Sequence, residues 1–176
     1  LTDQGIIPGI KVDKGTQPIP EASGELMTEG LDGLRDRCKE YAEIGARFTK
    51  WRAVITIGDG IPTQYCIDLA AQGLARYAAL SQEAGLVPIV EPEVLMDGGH
   101  SIDTAFEVNE ATLRAVFAEL ARQRVSLEGM LLKPSMVLSG STSSNRASSD
   151  EVAEKTIACF KRSVPAAVPG IVFLSG

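Results

Sequence analysis

A chain of 176 residues, 44% of them hydrophobic and with a mean hydropathy of +0.07, is long enough for one globular domain with a proper core. The formal charge of −6 and a pI near 4.9 argue against a general nucleic-acid binder, which needs a basic footprint to displace counterions. The longest apolar runs, such as Gly85-Leu86-Val87-Pro88-Ile89-Val90, are interrupted by Pro, Gly or charge far short of the roughly 20 residues of a spanning helix, so no membrane span is expected.

In chain order, Leu1-Thr2-Asp3-Gln4 has no basic stretch leading into an apolar one, so no secretory signal is expected. A first strand is predicted over 6–11. Leu34, Cys38 and Tyr41 share one face of a helix over 31–44. The next strand covers 46–51, or starts at Trp51 and runs through Ile57; periodicity leaves both open. Ile67, Ala70, Ala71, Leu74 and Ala78 mark a helix over 63–84, with Gly85 as the residue just past its end. A strand over 86–91 follows. His100, in Asp97-Gly98-Gly99-His100, is expected in a surface loop. Leu113, Val116, Phe117 and Leu120 give a helix over 109–123, and a strand is predicted over 129–133. The Ser- and Gly-rich stretch 139–144 reads as a flexible loop, with Ser149 capping a helix that buries Val152, Thr156, Cys159 and Phe160. The last strand is predicted over 171–175. With no initiator Met and an abrupt finish, the chain reads as a single domain over 1–176, cut at both ends. Cys38, Cys66 and Cys159 are odd in number and widely spaced, which fits reduced, core-filling thiols better than a disulfide framework.

Alternating strands and helices predict parallel βα units. Lys11, Lys50, Glu91, Lys133 and Ser175 end successive strands at separations of 39, 41, 42 and 42 positions. Polar side chains at the carboxyl ends of parallel strands converge on one mouth, as in a (β/α)8 TIM barrel or an open doubly wound sheet. A Gly-x-Gly-x-x-Gly dinucleotide fingerprint follows none of the strands, which favours the barrel. At roughly 40 residues per unit, eight units need about 320 residues, so this chain supplies about five strands.

Those strand ends suggest carbonyl chemistry. Lys133 leaves the apolar run Met130-Leu131-Leu132 at a turn fixed by Pro134, and an amine desolvated there beside Lys11 and Lys50 would favour its neutral, nucleophilic form. Glu91 and Glu93, divided by Pro92, pair one proton donor with one counter-ion; an acidic turn is the plainer alternative. Lys50-Trp51-Arg52 suits an anionic substrate or a solvated basic turn. Ser175-Gly176 can offer a hydroxyl and a backbone N–H to a phosphate. One His and scattered Cys make a zinc site unexpected, leaving an iminium as the electron sink.

Gly9-Ile10-Lys11-Val12-Asp13-Lys14-Gly15, Lys50-Trp51-Arg52, Val87 to Glu93, Leu131-Leu132-Lys133-Pro134-Ser135-Met136 and Phe173-Leu174-Ser175-Gly176 resemble the class I fructose-bisphosphate aldolases in order and spacing. The resemblance runs the length of the chain and implies the third to seventh strands of their barrel. It implies cleavage of fructose 1,6-bisphosphate to dihydroxyacetone phosphate and glyceraldehyde 3-phosphate. Lys133 would form the Schiff base, Glu91 would act as acid and base, and Glu93 and Lys50 would complete the catalytic charge network. Lys11, Arg52, Ser175 and Gly176 would bind phosphate, with Asp13 behind the cations. It implies no cofactor and no metal, a sugar bisphosphate partner, no nucleic acid or membrane, a homotetramer, and the cytoplasm or a plastid. Family segments from the first, second and last strands are missing here. The alternatives are a Schiff-base aldolase for another sugar phosphate and a non-catalytic fragment with a binding or scaffold role.

Overall fold

The computed structural model describes residues 2–173. Ten elements follow in order: β1 (Gly9–Lys11), β2 (Thr16–Pro18), β3 (Leu26–Thr28), α1 (Leu34–Glu43), β4 (Phe48–Ile55), α2 (Gln64–Glu83), β5 (Val87–Val94), α3 (Ile102–Arg122), β6 (Leu131–Leu132) and α4 (Ser149–Ser163). Short 3-10 turns occupy Thr2–Gln4 and Leu127–Gly129.

β1, β4, β5 and β6 form one parallel sheet in that order, and Ile171 continues it through a single parallel bridge to Leu132. Every neighbour in the sheet is also the next parallel strand in the chain. Among the described residues the strand order never reverses, so this arc has no topological switch point of the doubly wound kind. α2 lies over β4 and β5, α3 packs beside α2, and α4 beside α3. Their shared core includes Trp51, Tyr77, Leu74, Val90, Val116, Leu120, Met130 and Leu132.

Local chemistry sets the helix ends. Thr63, Ser101 and Ser148 each accept a backbone N–H three residues on, from Cys66, Thr104 and Glu151. Gly85, at φ +75, turns the chain out of α2. In α4, Asp150 and Glu151 open the helix and Lys161 and Arg162 close it, matching its dipole.

Several predicted boundaries move. The two alternatives for the strand near residue 50 are halves of one strand, β4. α3 starts at Ile102, seven residues before its predicted start; the added turns bury Ile102 and Ala105, and Ser101 caps them. The α4 cap is Ser148, not Ser149. β6 is only two residues long, its predicted start being the 3-10 turn. The predicted strand 171–175 is represented by Ile171 alone, and residues 174–176 lie outside the described residues.

The hairpin of β2 and β3 was absent from the prediction, since three-residue strands carry no readable alternation. It is tied to the start of α2 by Glu25, a nearly fully buried carboxylate that accepts from the Thr63 backbone N–H (2.6 Å) and hydroxyl (2.7 Å). Part of the loop over 139–144 is tied to the facing loop by backbone hydrogen bonds. The N–H groups of Gly140, Ser141 and Thr142 donate to the carbonyls of His100, Met96 and Gly98, and a Cβ on Gly140 would run into the Gly98 carbonyl. His100 sits in the facing loop, but its ring is half buried, with both nitrogens shielded from solvent. The three cysteines are free and buried, and burial pushes the thiols of Cys66 and Cys159 up to about 11. Among the described residues no helix is long and apolar enough to cross a membrane.

Candidate active site

Alternation along β4 and β5 sends Lys50, Arg52, Glu91 and Glu93 to the sheet face away from the helices, while Thr49, Trp51 and Ala53 face α2. Lys50 is in register with Ile89, and Arg52 with Glu91. Each cation leans two residues along the neighbouring strand, Lys50 to Glu91 and Arg52 to Glu93. The predicted pair of crowded carboxylates is therefore two carboxylates with separate cations.

Glu91 is the centre of the constellation. It is 2% exposed, and its carboxylate lies 2.7 Å from Lys50 Nζ and 3.0 Å from Lys133 Nζ. An isolated carboxylate at that depth would carry a large desolvation cost, and two ammonium groups offset it. Glu91 Oε2 is held by the Lys50 charge, and no other group among the described residues hydrogen-bonds it. Lys50 and Lys133 keep 23% and 28% of their side chains exposed. Of the two cations suggested near Lys133, Lys50 shares the Glu91 carboxylate with it, while Lys11 pairs with Asp13.

Arg52 hydrogen-bonds Glu93, and that carboxylate raises the guanidinium further above its already high range. Lys11, at the end of β1, turns to the buried Asp13 (2.5 Å) and is about half exposed. Asp13 also accepts from the backbone N–H groups of Gly15 (3.2 Å) and Arg52 (3.4 Å), fastening the β1 exit to β4. The structure thus joins Lys50, Glu91 and Lys133 directly, and sets Arg52–Glu93 one pleat further along β4 and β5 and Lys11–Asp13 at the exit of β1. Ser175 and Gly176 lie outside the described residues.

Three supporting residues escaped the sequence reading. Arg37 of α1 donates to the Val12 carbonyl (3.0 Å) and to that of Gly30, holding the segment between Lys11 and Asp13. Thr28 of the unpredicted hairpin donates to the Arg52 carbonyl (2.7 Å). Ser135 is bonded twice to the Val94 backbone. Only Ser135 left a signal, as a polar residue directly after Pro134 in a stretch otherwise apolar. Among the described residues no group of His, Cys, Asp or Glu is arranged to hold a metal ion.

A buried carboxylate between two lysines, open on one side, can move protons around an amine that attacks a carbonyl. The family model for fructose-bisphosphate aldolase class-I matches residues 1–176. A probable class 1 fructose-bisphosphate aldolase of Xanthomonas campestris is 62% identical over 176 residues, covering all of this chain and 53% of that protein. A cytosolic fructose-bisphosphate aldolase of Arabidopsis thaliana is 52% identical over the same length and is covered to 45%. A fructose-bisphosphate aldolase structure from Plasmodium falciparum superposes with a TM-score of 0.97 at 50% identity, covering 99% of this chain and 51% of that one. The chain spans about half the length of the curated relatives it matches.

Proposed function

The chain belongs to the class I fructose-bisphosphate aldolase family, and from that premise we propose that it forms the third to seventh strands of a (β/α)8 barrel enzyme. The enzyme reversibly cleaves fructose 1,6-bisphosphate through a Schiff base on Lys133. The observation that carries the proposal is the Glu91 carboxylate shared by Lys50 and Lys133 in a buried position. The sequential parallel strand order, continued past β6 by the bridge to Ile171, supports closure by further strands of a longer chain.

Glu91 takes a proton from the Lys133 ammonium, the neutral amine attacks the C2 ketone, and a second N–H proton passes to the new alkoxide to give a neutral carbinolamine. The protonated Glu91 then returns its proton to the carbinolamine hydroxyl, which leaves as water while the nitrogen lone pair closes the iminium. A base removes the proton of the C4 hydroxyl, the C3–C4 bond breaks, and its electron pair flows into the cationic nitrogen as an enamine. Glyceraldehyde 3-phosphate departs. Protonation at C3 and hydrolysis of the C–N bond return dihydroxyacetone phosphate and the free lysine. Electrons enter and leave through the lysine nitrogen, so the cycle as written consumes no cofactor.

Lys50 balances the Glu91 charge when Lys133 is neutral or bonded to substrate, and Glu93 holds Arg52 toward the mouth. Lys11 and Arg52, the more exposed cations, exchange carboxylate partners for substrate phosphates. Ser175 and Gly176 take the phosphate of the dihydroxyacetone half, and Asp13 steadies the cations. A homotetramer and a cytoplasmic or plastid location belong to the same reading.

Borohydride added to the full-length protein with dihydroxyacetone phosphate should leave a covalent adduct on the peptide carrying Lys133, and none in Lys133→Met. An adduct elsewhere, or none in the unaltered protein, would sink the assignment. Turnover of fructose bisphosphate well above that of the monophosphate is expected if Lys11 with Arg52 takes one phosphate and Ser175 with Gly176 the other.

A further inference from the structure

Lys133 sits where the sheet loses its grip on the chain. On the β5 side its N–H donates to the Val90 carbonyl (2.8 Å). In a parallel ladder the next bond on that side would run from the N–H of residue 92 to the Lys133 carbonyl. Residue 92 is proline and has no N–H. On the other side Leu132 donates to the Gly170 carbonyl (3.1 Å) and accepts from the Val172 N–H (2.9 Å). The next donor there would be residue 134, which is also proline. Pro92 and Pro134 therefore end both ladders beside the same lysine.

Two residues beyond it, a side chain takes over. The Ser135 hydroxyl accepts from the Val94 N–H (2.9 Å) and donates to the Val94 carbonyl (3.0 Å), and Ser135 is 4% exposed. One hydroxyl thus makes both bonds of a ladder rung with one residue of β5, using its single proton and one lone pair. Further on, the Val137 N–H donates to Thr156 of α4 (2.9 Å), so the segment is next fixed to a helix and not to the sheet. Between Lys133 and Ser135 stands Pro134, whose φ is locked by its ring.

We propose that Ser135 is the positioning residue for the Lys133 amine: its hydroxyl replaces the ladder that Pro92 and Pro134 interrupt, and so holds Lys133 Nζ at Glu91. The proposal rests on the Schiff-base reading above. A carbonyl is attacked only from a near-attack distance of about 3–3.5 Å, and a displacement of about 1 Å can cost on the order of 100-fold in rate. The prolines suit this arrangement. They free the Lys133 carbonyl segment from the pleat, and a side chain then sets its direction at a point the sheet would otherwise dictate.

The test uses full-length protein carrying Ser135→Ala or Ser135→Asn, the latter keeping a donor and an acceptor. In Ser135→Ala, borohydride trapping of dihydroxyacetone phosphate on Lys133 and kcat should both fall roughly 10- to 100-fold. KM should stay within about twofold, because the phosphate contacts lie on other strands. Ser135→Asn should recover most of the loss, and without substrate the Val94 amide should exchange faster in Ser135→Ala than in the unaltered protein. Unaltered kcat and trapping in Ser135→Ala, equal impairment of both variants, or a loss that only tracks the folded fraction would overturn the proposal. If the unaltered protein gives no adduct on Lys133, the Schiff-base reading itself fails and the tether has no nucleophile to serve. Should Ser135→Ala not fold, Ser135→Cys and Ser135→Thr carry the same comparison. Cys weakens both bonds and should be slow, Thr keeps the hydroxyl and should be near normal, and equal rates would overturn the idea.

Discussion

The two faces of β4 are built by opposite means. Toward α2, Trp51 is fully buried and stacks on Tyr77 at 5.5 Å between ring centroids. The Tyr77 hydroxyl lies 3.1 Å from the Thr49 carbonyl and 3.0 Å from that of Ile89, bridging β4 and β5, and burial pushes its phenol far up. On the other face, Lys50 and Arg52 rest in ion pairs that remain partly solvated. One face fixes the backbone by packing that nothing is meant to displace. The other holds charges in pairs that a phosphate or a reacting carbonyl can take over. Rigid strands behind exchangeable side chains let a site keep its geometry through a reaction cycle.

The difference predicts that substitutions on the two faces fail differently. The largest effect belongs to the charged face: Glu91→Gln should lower kcat by roughly 10²- to 10⁴-fold while the protein stays folded. Steady-state kinetics alongside a thermal melt checks this, and a protein that instead unfolds would mean that Glu91 is chiefly structural. Trp51→Ala on the packed face should cost about 3–5 kcal/mol of stability by urea unfolding, with kcat per folded molecule nearly unchanged. A large drop in kcat at full stability would break the division between the faces.

The mildest effect is the pH response of the packed layer. Burial holds the thiols of Cys66 and Cys159 at about 11 against an ordinary 9.0. Below pH 9 both are protonated whether folded or unfolded, and stability is indifferent to them. Between pH 9 and about 11 the unfolded thiols lose protons that the folded ones keep, so the unfolded state binds fewer protons and stability falls. Urea midpoints measured across that window should decline, and less steeply when both cysteines are replaced by Ala. An unchanged slope would place these thiols in contact with solvent.

Much of the architecture was legible because it is local. The period of Leu34 and Cys38, or of Leu113, Val116 and Leu120, is written in consecutive turns of helix, and Gly85 and Thr63 mark ends by backbone chemistry that needs no partner far away. The even spacing of Lys50, Glu91 and Lys133 follows from repeated units of similar length, but Lys50 and Glu91 lie within β4 and β5 and not at their ends, because both strands run on to Ile55 and Val94. The hairpin was missed because Thr16–Pro18 and Leu26–Thr28 are too short to show alternation and are held in place by Glu25. The start of α3 was missed because its first two turns bury only Ile102 and Ala105, too few apolar positions to show a period. In the stretch 139–144, Gly140 serves a close approach to Gly98 that composition alone does not reveal.

The sequence by itself determined the alternation of strands and helices, the faces the helices bury, and the set of residues, Lys133, Glu91 and Lys50 foremost, that a Schiff-base chemistry would draw on. Only the tertiary structure decided who pairs with whom. Strand register and side-chain reach set Lys50 on Glu91 and Arg52 on Glu93, lodge the Glu91 carboxylate between Lys50 and Lys133, and bring Ser135 to Val94. The reason is physical: helical periods and caps act over three or four residues, whereas each of these contacts joins strands about 40 residues apart, and no local pattern encodes their register.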